Sequence, residues 1–259
     1  MVSEMKFTVE AEKFKEALES LQVKGKALTN SGFTSSNIGS YVYMSLTDNS
    51  LNIWNGNPTF VVNINVEVVG ETNGTVITDS NTILPYLKAF GENVTFSVGD
   101  FITVSSGNKS ASIPIVILHP NMDAINRLSQ MVTHVSYQPV PLMLFNFGKA
   151  KFEGAFTLTH KQFTSCIKTC ELVKSGVYKL DYNNSMPKFS TRQNVQNKYD
   201  ETLTPVFTLG EPATIEFSGP LYSFFKKEQL LNFYVKDEFP LLIVAEDRLL
   251  IKAPYVNGE

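Results

Sequence analysis

Cysteine is nearly absent from this 259-residue chain. Only Cys166 and Cys170 occur, four positions apart in a segment with helical spacing, and that separation does not favour a disulfide between them. They read as buried thiols. Histidine is as scarce: His119, His134 and His160 stand at no spacing that completes a zinc site with the cysteines, so no metal is expected. No apolar run reaches the roughly 20 residues of a membrane-spanning helix, and the start, Met1-Val2-Ser3-Glu4-Met5-Lys6, lacks the apolar stretch of a signal peptide. A soluble, intracellular protein with no membrane partner is expected. Missing too are a glycine-rich phosphate loop, a His-Glu metal motif and a nucleophile elbow, so the sequence reads as non-enzymatic and without a cofactor.

What is present is core material. Hydrophobic residues make up 43% and aromatics 12%, against 18% charged, which excludes global disorder, a coiled coil and a low-complexity scaffold. The length suits two domains of ordinary size. A formal net charge of −3 argues against a surface that grips nucleic acid everywhere, but it leaves open where the charges sit.

One pattern recurs four times: a strand, a short amphipathic helix, then three strands. In the first copy Lys6 to Glu10 alternates as a strand, Ala11 to Val23 has helical spacing, and strands follow at Tyr41 to Thr47, Ser50 to Trp54 and Phe60 to Val69. The second gives Thr75 to Thr78, a helix over Asn81 to Phe90, then Val94 to Val98, Phe101 to Ser105 and Ser110 to Ile117, with Gly99-Asp100 and Gly107-Asn108 as hairpin turns. The third gives Gly154 to Thr159, a helix over Lys161 to Val173, then Val177 to Tyr182, Pro187 to Arg192 and Leu203 to Leu209. The fourth gives Thr214 to Phe217, a helix from Pro220 to Gln229, then Leu231 to Val235, Leu241 to Ala245 and Leu249 to Ala253. Each helix carries one apolar stripe and so covers a sheet on one side only. The chain divides into an N-terminal domain over 1–118, a connector over 119–152 and a C-terminal domain over 153–259. Within the connector, Asn121 to Val132 reads as a short helix and Tyr137 to Phe147 as an extended strap.

This arrangement resembles the DNA sliding clamps, that is, the bacterial and phage processivity clamps and the proliferating cell nuclear antigen group. Met5-Lys6-Phe7-Thr8-Val9 before an acidic helix, and the hairpin Tyr41 to Leu51, are similar to a bacterial clamp; so are Thr78-Asp79-Ser80 through Leu87 and Ile102 to Gly107. Glu238-Phe239-Pro240-Leu241 and Ala253-Pro254-Tyr255 resemble the C-terminal motifs of archaeal and eukaryotic clamps. The mixture is compatible with a phage or viral source. The resemblance implies an α+β DNA-clamp fold: two similar domains, each of two strand–helix–three-strand repeats, with helices lining a ring and sheets outside. Two domains per chain imply a homotrimer. The implied partners are double-stranded DNA bound without sequence preference, a replicative polymerase and a clamp loader, and the implied place is wherever replication proceeds, in the cell or in a host. The alternative is a clamp-like scaffold that never slides, or a subunit of a hetero-oligomeric checkpoint-type ring.

A ring around a duplex needs positive charge on its inner wall rather than base readout. The helical segments 10–24, 81–90, 161–174 and 220–229 hold nine lysines and six acids, a net +3, which leaves −6 for the rest. The expected DNA-facing residues are Lys13, Lys15, Lys88, Lys161, Lys168, Lys174, Lys226 and Lys227. Glu12, Glu16 and Glu19 fall at the centre of the first helix's outer face, so the weight rests on the later lysines. By resemblance, a client-peptide pocket is formed by Pro240, Ala253 and Pro254, with Val140, Leu142 and Leu144 of the connector, Met44 as floor and Tyr255 as a stacking surface. The subunit edges are Ser110 to Val116, including Ile113 and Ile115, and Lys188 to Arg192, including Ser190.

Overall fold

The computed structural model describes residues 3–22, 26–29, 32–35, 39–129, 146–147, 150–173, 176–183, 185–191, 197–219 and 221–255. The chain forms two compact units, one of Met1–Gln22, Ile38–Asn57 and Val62–Asn126, the other of Val23–Asn37, Pro58–Val61 and Arg127–Glu259.

Strand β1 (Met5–Glu10) leads directly into α1 (Ala11–Leu21). A hairpin, β2 (Lys26–Thr29) with β3 (Gly32–Ser35), follows in the chain. The chain continues through β4 (Tyr41–Thr47), β5 (Ser50–Asn57), β6 (Phe60–Glu67), β7 (Val69–Thr72), β8 (Gly74–Asp79), α2 (Ser80–Phe90), β9 (Asn93–Val98), β10 (Ile102–Ser106), β11 (Lys109–Ile113) and α3 (Met122–Ser129), of which the start of β6 and the end of α3 fall in the second unit. The opening strand of each copy joins strands of the other copy, while the remaining strands pair within their own. β1 of the first copy lies against β9 of the second, giving the order β11-β10-β9-β1-β7, while β8 of the second copy lies against β4 of the first, giving β6-β5-β4-β8. Under these strands α1 buries Ala11, Phe14, Ala17, Leu18 and Leu21, and α2 buries Ile83 and Leu87. Phe7 stacks on Phe96 at 5.1 Å with Phe14 edge-on to both. Asn55 closes the end of α1, its buried amide donating to the carbonyls of Leu21 and Gly39.

The second unit repeats the plan. After the short ladder β12 (Asn146–Phe147) with β13 (Ala150–Lys151), it contains β14 (Gly154–Thr159), α4 (His160–Leu172), β15 (Val177–Tyr182), β16 (Pro187–Thr191), β17 (Asp200–Thr202), β18 (Phe207–Gly210) and β19 (Ala213–Ser218). A 3₁₀ turn (Leu221–Phe224), β20 (Leu230–Val235), β21 (Leu241–Val244) and β22 (Arg248–Lys252) complete it. The order β18-β14-β20-β21-β22 matches β7-β1-β9-β10-β11 of the first unit strand for strand, and β17-β16-β15-β19 matches β6-β5-β4-β8. Its centre is aromatic: Phe156 stacks on Phe233 at 4.9 Å, and Phe163 meets Phe233 edge-on. Cys166 and Cys170 are free thiols buried on the core side of α4.

Four expectations need correction. The fourth helix is a single 3₁₀ turn: Leu221, Phe224 and Phe225 bury, but the next side chains are polar, and Gln229 turns back to accept the Lys226 N–H at 2.9 Å. The strand expected over Phe60 to Val69 breaks at Val68, whose N–H goes to the Asn49 carbonyl, and β7 crosses to β1. The strand expected over Leu203 to Leu209 begins only at Phe207, as β18, after the extended stretch around Pro205, and β17 lies before it over Asp200–Thr202. Finally, of the expected edge Lys188 to Arg192, the described residues Lys188 to Thr191 are not a free edge: β16 pairs with β15 on one side and β17 on the other, and β17 is the edge among the described strands. The strap over Tyr137 to Phe147 lies outside the described residues except for Asn146 and Phe147, while the connector helix is present as α3.

Candidate nucleic-acid interface

In the first unit the outward lysines are occupied by the acids of α1 and of Glu10 just before it. Lys13 pairs with Glu10 at 3.3 Å, Lys15 with Glu12 at 2.5 Å, and Lys88 of α2 with Glu19 of α1 at 3.4 Å. The i,i+3 spacing of the first two is the geometric reason, since residues three apart on a helix are neighbours. Residues 10–21 and 80–90 together carry three lysines and four glutamates. The face is close to neutral.

The second unit differs. Its helix starts from a full capping box: Thr159 Oγ1 accepts the Gln162 N–H at 3.2 Å and Gln162 Oε1 accepts the Thr159 N–H at 2.9 Å. The first two turns of α4 and the segment after the 3₁₀ turn then wall an open cleft of about 910 Å³. Lys161, Lys168 and Lys227 line it, with the hydroxyls of Thr164, Ser165, Tyr222 and Ser223, and with His160. Lys161 and Lys227 are exposed and have no ion-pair partner among the described residues. Lys168 lies over the Tyr222 ring, 5.4 Å from its centroid. The acids are few. Glu228 lines the cleft; Glu171, the one acid of α4, is half-buried, and burial raises its carboxyl pKa against the opposing pull of Lys168 and a hydrogen bond with Tyr222. Lys226 is turned away to Asp247 at 2.8 Å. Burial would raise the Asp247 pKa, but Lys226, Arg248 and Gln229 together hold it below the usual carboxylate range. Lys174 lies outside the described residues.

No family model matches the sequence, and no curated protein matches it by sequence. Solved structures do match. The chain superposes on the clamp of a structure described as the C-terminal region of FEN-1 bound to A. fulgidus PCNA, with a TM-score of 0.68 and 12% identity over 98% of this chain and 100% of that one. The DNA polymerase III β subunit of Thermotoga maritima matches with a TM-score of 0.73 and 12% identity, over 98% of this chain but 66% of its own length. The proliferating cellular nuclear antigen of Entamoeba histolytica matches at 0.63 and 14%, over 99% and 100%. The chain has the fold of a DNA sliding clamp.

Within this clamp fold the other expected site residues are placed as follows. Leu241 pairs with Lys252, so Pro240 and Ala253 emerge side by side at one end of the β21–β22 pair, followed by Pro254 and the exposed Tyr255, whose N–H bonds to the Glu216 carbonyl at 2.7 Å. Met44 is fully buried in β4 and presents no surface. Val140, Leu142, Leu144 and Arg192 lie outside the described residues. Ser110 is exposed on the edge strand β11, whereas Ile113, opposite Ile102, is buried in its own unit; Ile115 is half-buried just beyond the strand. Lys188 is held by Asp200 at 2.8 Å, and Ser190 is half-buried on β16. Tyr222 and Ser223 are not singled out by the sequence pattern, because a helical period over 220–229 gives them no distinct face. At a three-residue period Tyr222 falls off the buried Leu221–Phe224 side, which is the signal that was there.

Proposed function

We propose that this protein is a DNA polymerase processivity factor: three copies close into a ring around duplex DNA and tether a polymerase and other clients to it. The observation that carries the reading is the end-to-end match of a chain with two internally duplicated units to PCNA chains of the same extent. Tethering converts rebinding into an effectively intramolecular event, so no catalytic group is required. Free strand edges β11 and β17 support closure by edge-to-edge pairing between copies, because unpaired edges are templates for association. Client peptides are proposed to dock where Pro240, Ala253, Pro254 and Tyr255 gather; the archaeal relative is described as bound to the C-terminal region of FEN-1. Apolar anchors entering such a groove provide most of the affinity. A loader is the expected means of placing the ring on DNA.

The test is retention on DNA of defined topology. The loaded protein should stay on a closed circle and run off when the circle is linearised; equal loss from both forms would end the ring reading. Pro254→Glu, which sets a charge against the anchors, should abolish stimulation of the cognate polymerase and leave the mass of the assembly unchanged. A non-sliding scaffold is the second reading, favoured by the acid-paired face of α1, and a monomeric mass together with no retention would select it.

A further inference from the structure

The two units offer DNA unequal surfaces. Across α1, its preceding Glu10 and α2 every lysine is paired with a carboxylate of the same unit, and the balance is three lysines to four glutamates. Across α4 and residues 221–230 it is four lysines to two glutamates. Of those two, Glu171 is turned into a hydrogen bond with Tyr222 and partly withdrawn from water. A lysine already held by a carboxylate releases little counterion when a phosphate approaches; an exposed unpaired one contributes fully.

We propose, building on the processivity reading, that the duplex backbone is gripped by the second unit alone, in the cleft between α4 and the 3₁₀ turn, while the first unit's helices pass it without contact. Lys161, Lys168 and Lys227 supply the charge. Thr164, Ser165 and Ser223 line the same cleft, hydroxyl-bearing residues of the kind that position a phosphate backbone without reading sequence. Lys168 is held over the Tyr222 ring, which limits how far its ammonium can wander. The cleft is open and about 910 Å³, roomy enough for successive phosphates to pass through rather than lock in.

The experiment compares two triple variants of the full chain on a 30-base-pair duplex across a salt series, with circular dichroism to confirm that each remains folded. Lys161→Glu, Lys168→Glu and Lys227→Glu should weaken binding at least tenfold near 0.1 M salt and flatten the slope of log K against log salt by about one per lysine. Lys13→Glu, Lys15→Glu and Lys88→Glu should change affinity less than twofold and leave the slope alone. Gln in place of Glu in the cleft should give the same order with smaller effects. Equal or greater weakening by the first-unit triple overturns the proposal, as does parental binding by the cleft triple. If the parent prefers a single strand of the same length and the cleft triple abolishes that preference, the cleft is a single-strand site and the proposal falls, though the fold-based reading stands. If the parent shows no salt-dependent binding to either, the proposal falls, while retention on a closed circle decides the processivity reading separately.

Discussion

Lys252 is buried at the end of β22, 3% exposed, with its ammonium 5.5 Å from the centroid of the Phe60 ring and no ion pair among the described residues. Burial lowers its pKa from a lysine's ordinary 10.5 to about 8. Between those values the unfolded chain keeps a proton that the folded chain has lost, so stability rises with pH across that window, by about 1.4 kcal/mol per unit at most. Urea unfolding from pH 7.5 to about 9.5, where the tyrosines of the unfolded chain are still protonated, should show this rise in the parent relative to Lys252→Met, because the Cys166 thiol, its pKa raised by Cys170 and by burial, opposes it equally in both. Lys252→Met should lack it and be the more stable at pH 7.5; a parallel rise in both would place the effect elsewhere. Arg248 is the opposite case. Its buried guanidinium donates to the Phe224 carbonyl at 2.7 Å and to Asp247 at 3.3 Å, tying the 3₁₀ turn to the β21–β22 end. Arg248→Ala removes a buried cation and strands its acceptors, and should cost roughly 3 kcal/mol, read as a lower midpoint in denaturant.

At the scale of elements, the strands were legible and their partners were not. Turns such as Asp48-Asn49 and Gly107-Asn108 punctuate the chain, Asp48 and Gly107 both adopting positive φ, and alternation between them names the buried face. Alternation does not say which neighbour a strand joins, so the pairing of β1 with β9 rather than with β4 could not be read. The split of β6 from β7 was hidden for a related reason: the apolar run continues through Val66, Val68 and Val69, while the break is made by the distant Asn49 carbonyl. In the cleft the lysines were legible as types, but which were neutralised depended on partners three residues away or on another helix. Two substitutions act at this scale. Thr159→Ala removes the cap of α4 and should lower stability by about 1 kcal/mol, with cleft binding weakened more than global unfolding explains. Ser110→Glu with Ser112→Glu places charge on the edge strand β11, where both side chains are exposed; in the proposed ring it would face the acidic β17 of a neighbouring copy. Sedimentation should then give a folded single chain; an unchanged mass would move the contact away from β11.

For the whole molecule, duplication operates at two levels, two units of one strand plan and two copies within each. Each copy supplies one helix or turn for an outer face and strands for the sheets beneath, so the outer faces are free to diverge while the core plan stays fixed. The divergence is visible in the paired acids of α1 against the open lysines of α4.

The exchange of opening strands between copies also sets a timetable for synthesis. Thr8 and Thr95, whose hydroxyls meet at 3.0 Å, are 87 residues apart in the chain, and Thr157 and Asn232, bonded at 2.7 Å, are 75 apart. A nascent chain that has just released β1 and α1 from the ribosome has only the short β7 to pair β1 with until β9 emerges, and must hold one edge of an apolar strand open meanwhile. Neither half of a unit is a stopping point. A chain ended after residue 73 should therefore unfold without a cooperative transition, whereas one that includes β11 and α3 should regain it; a sharp transition in the shorter chain would show that its strands find partners without the exchange.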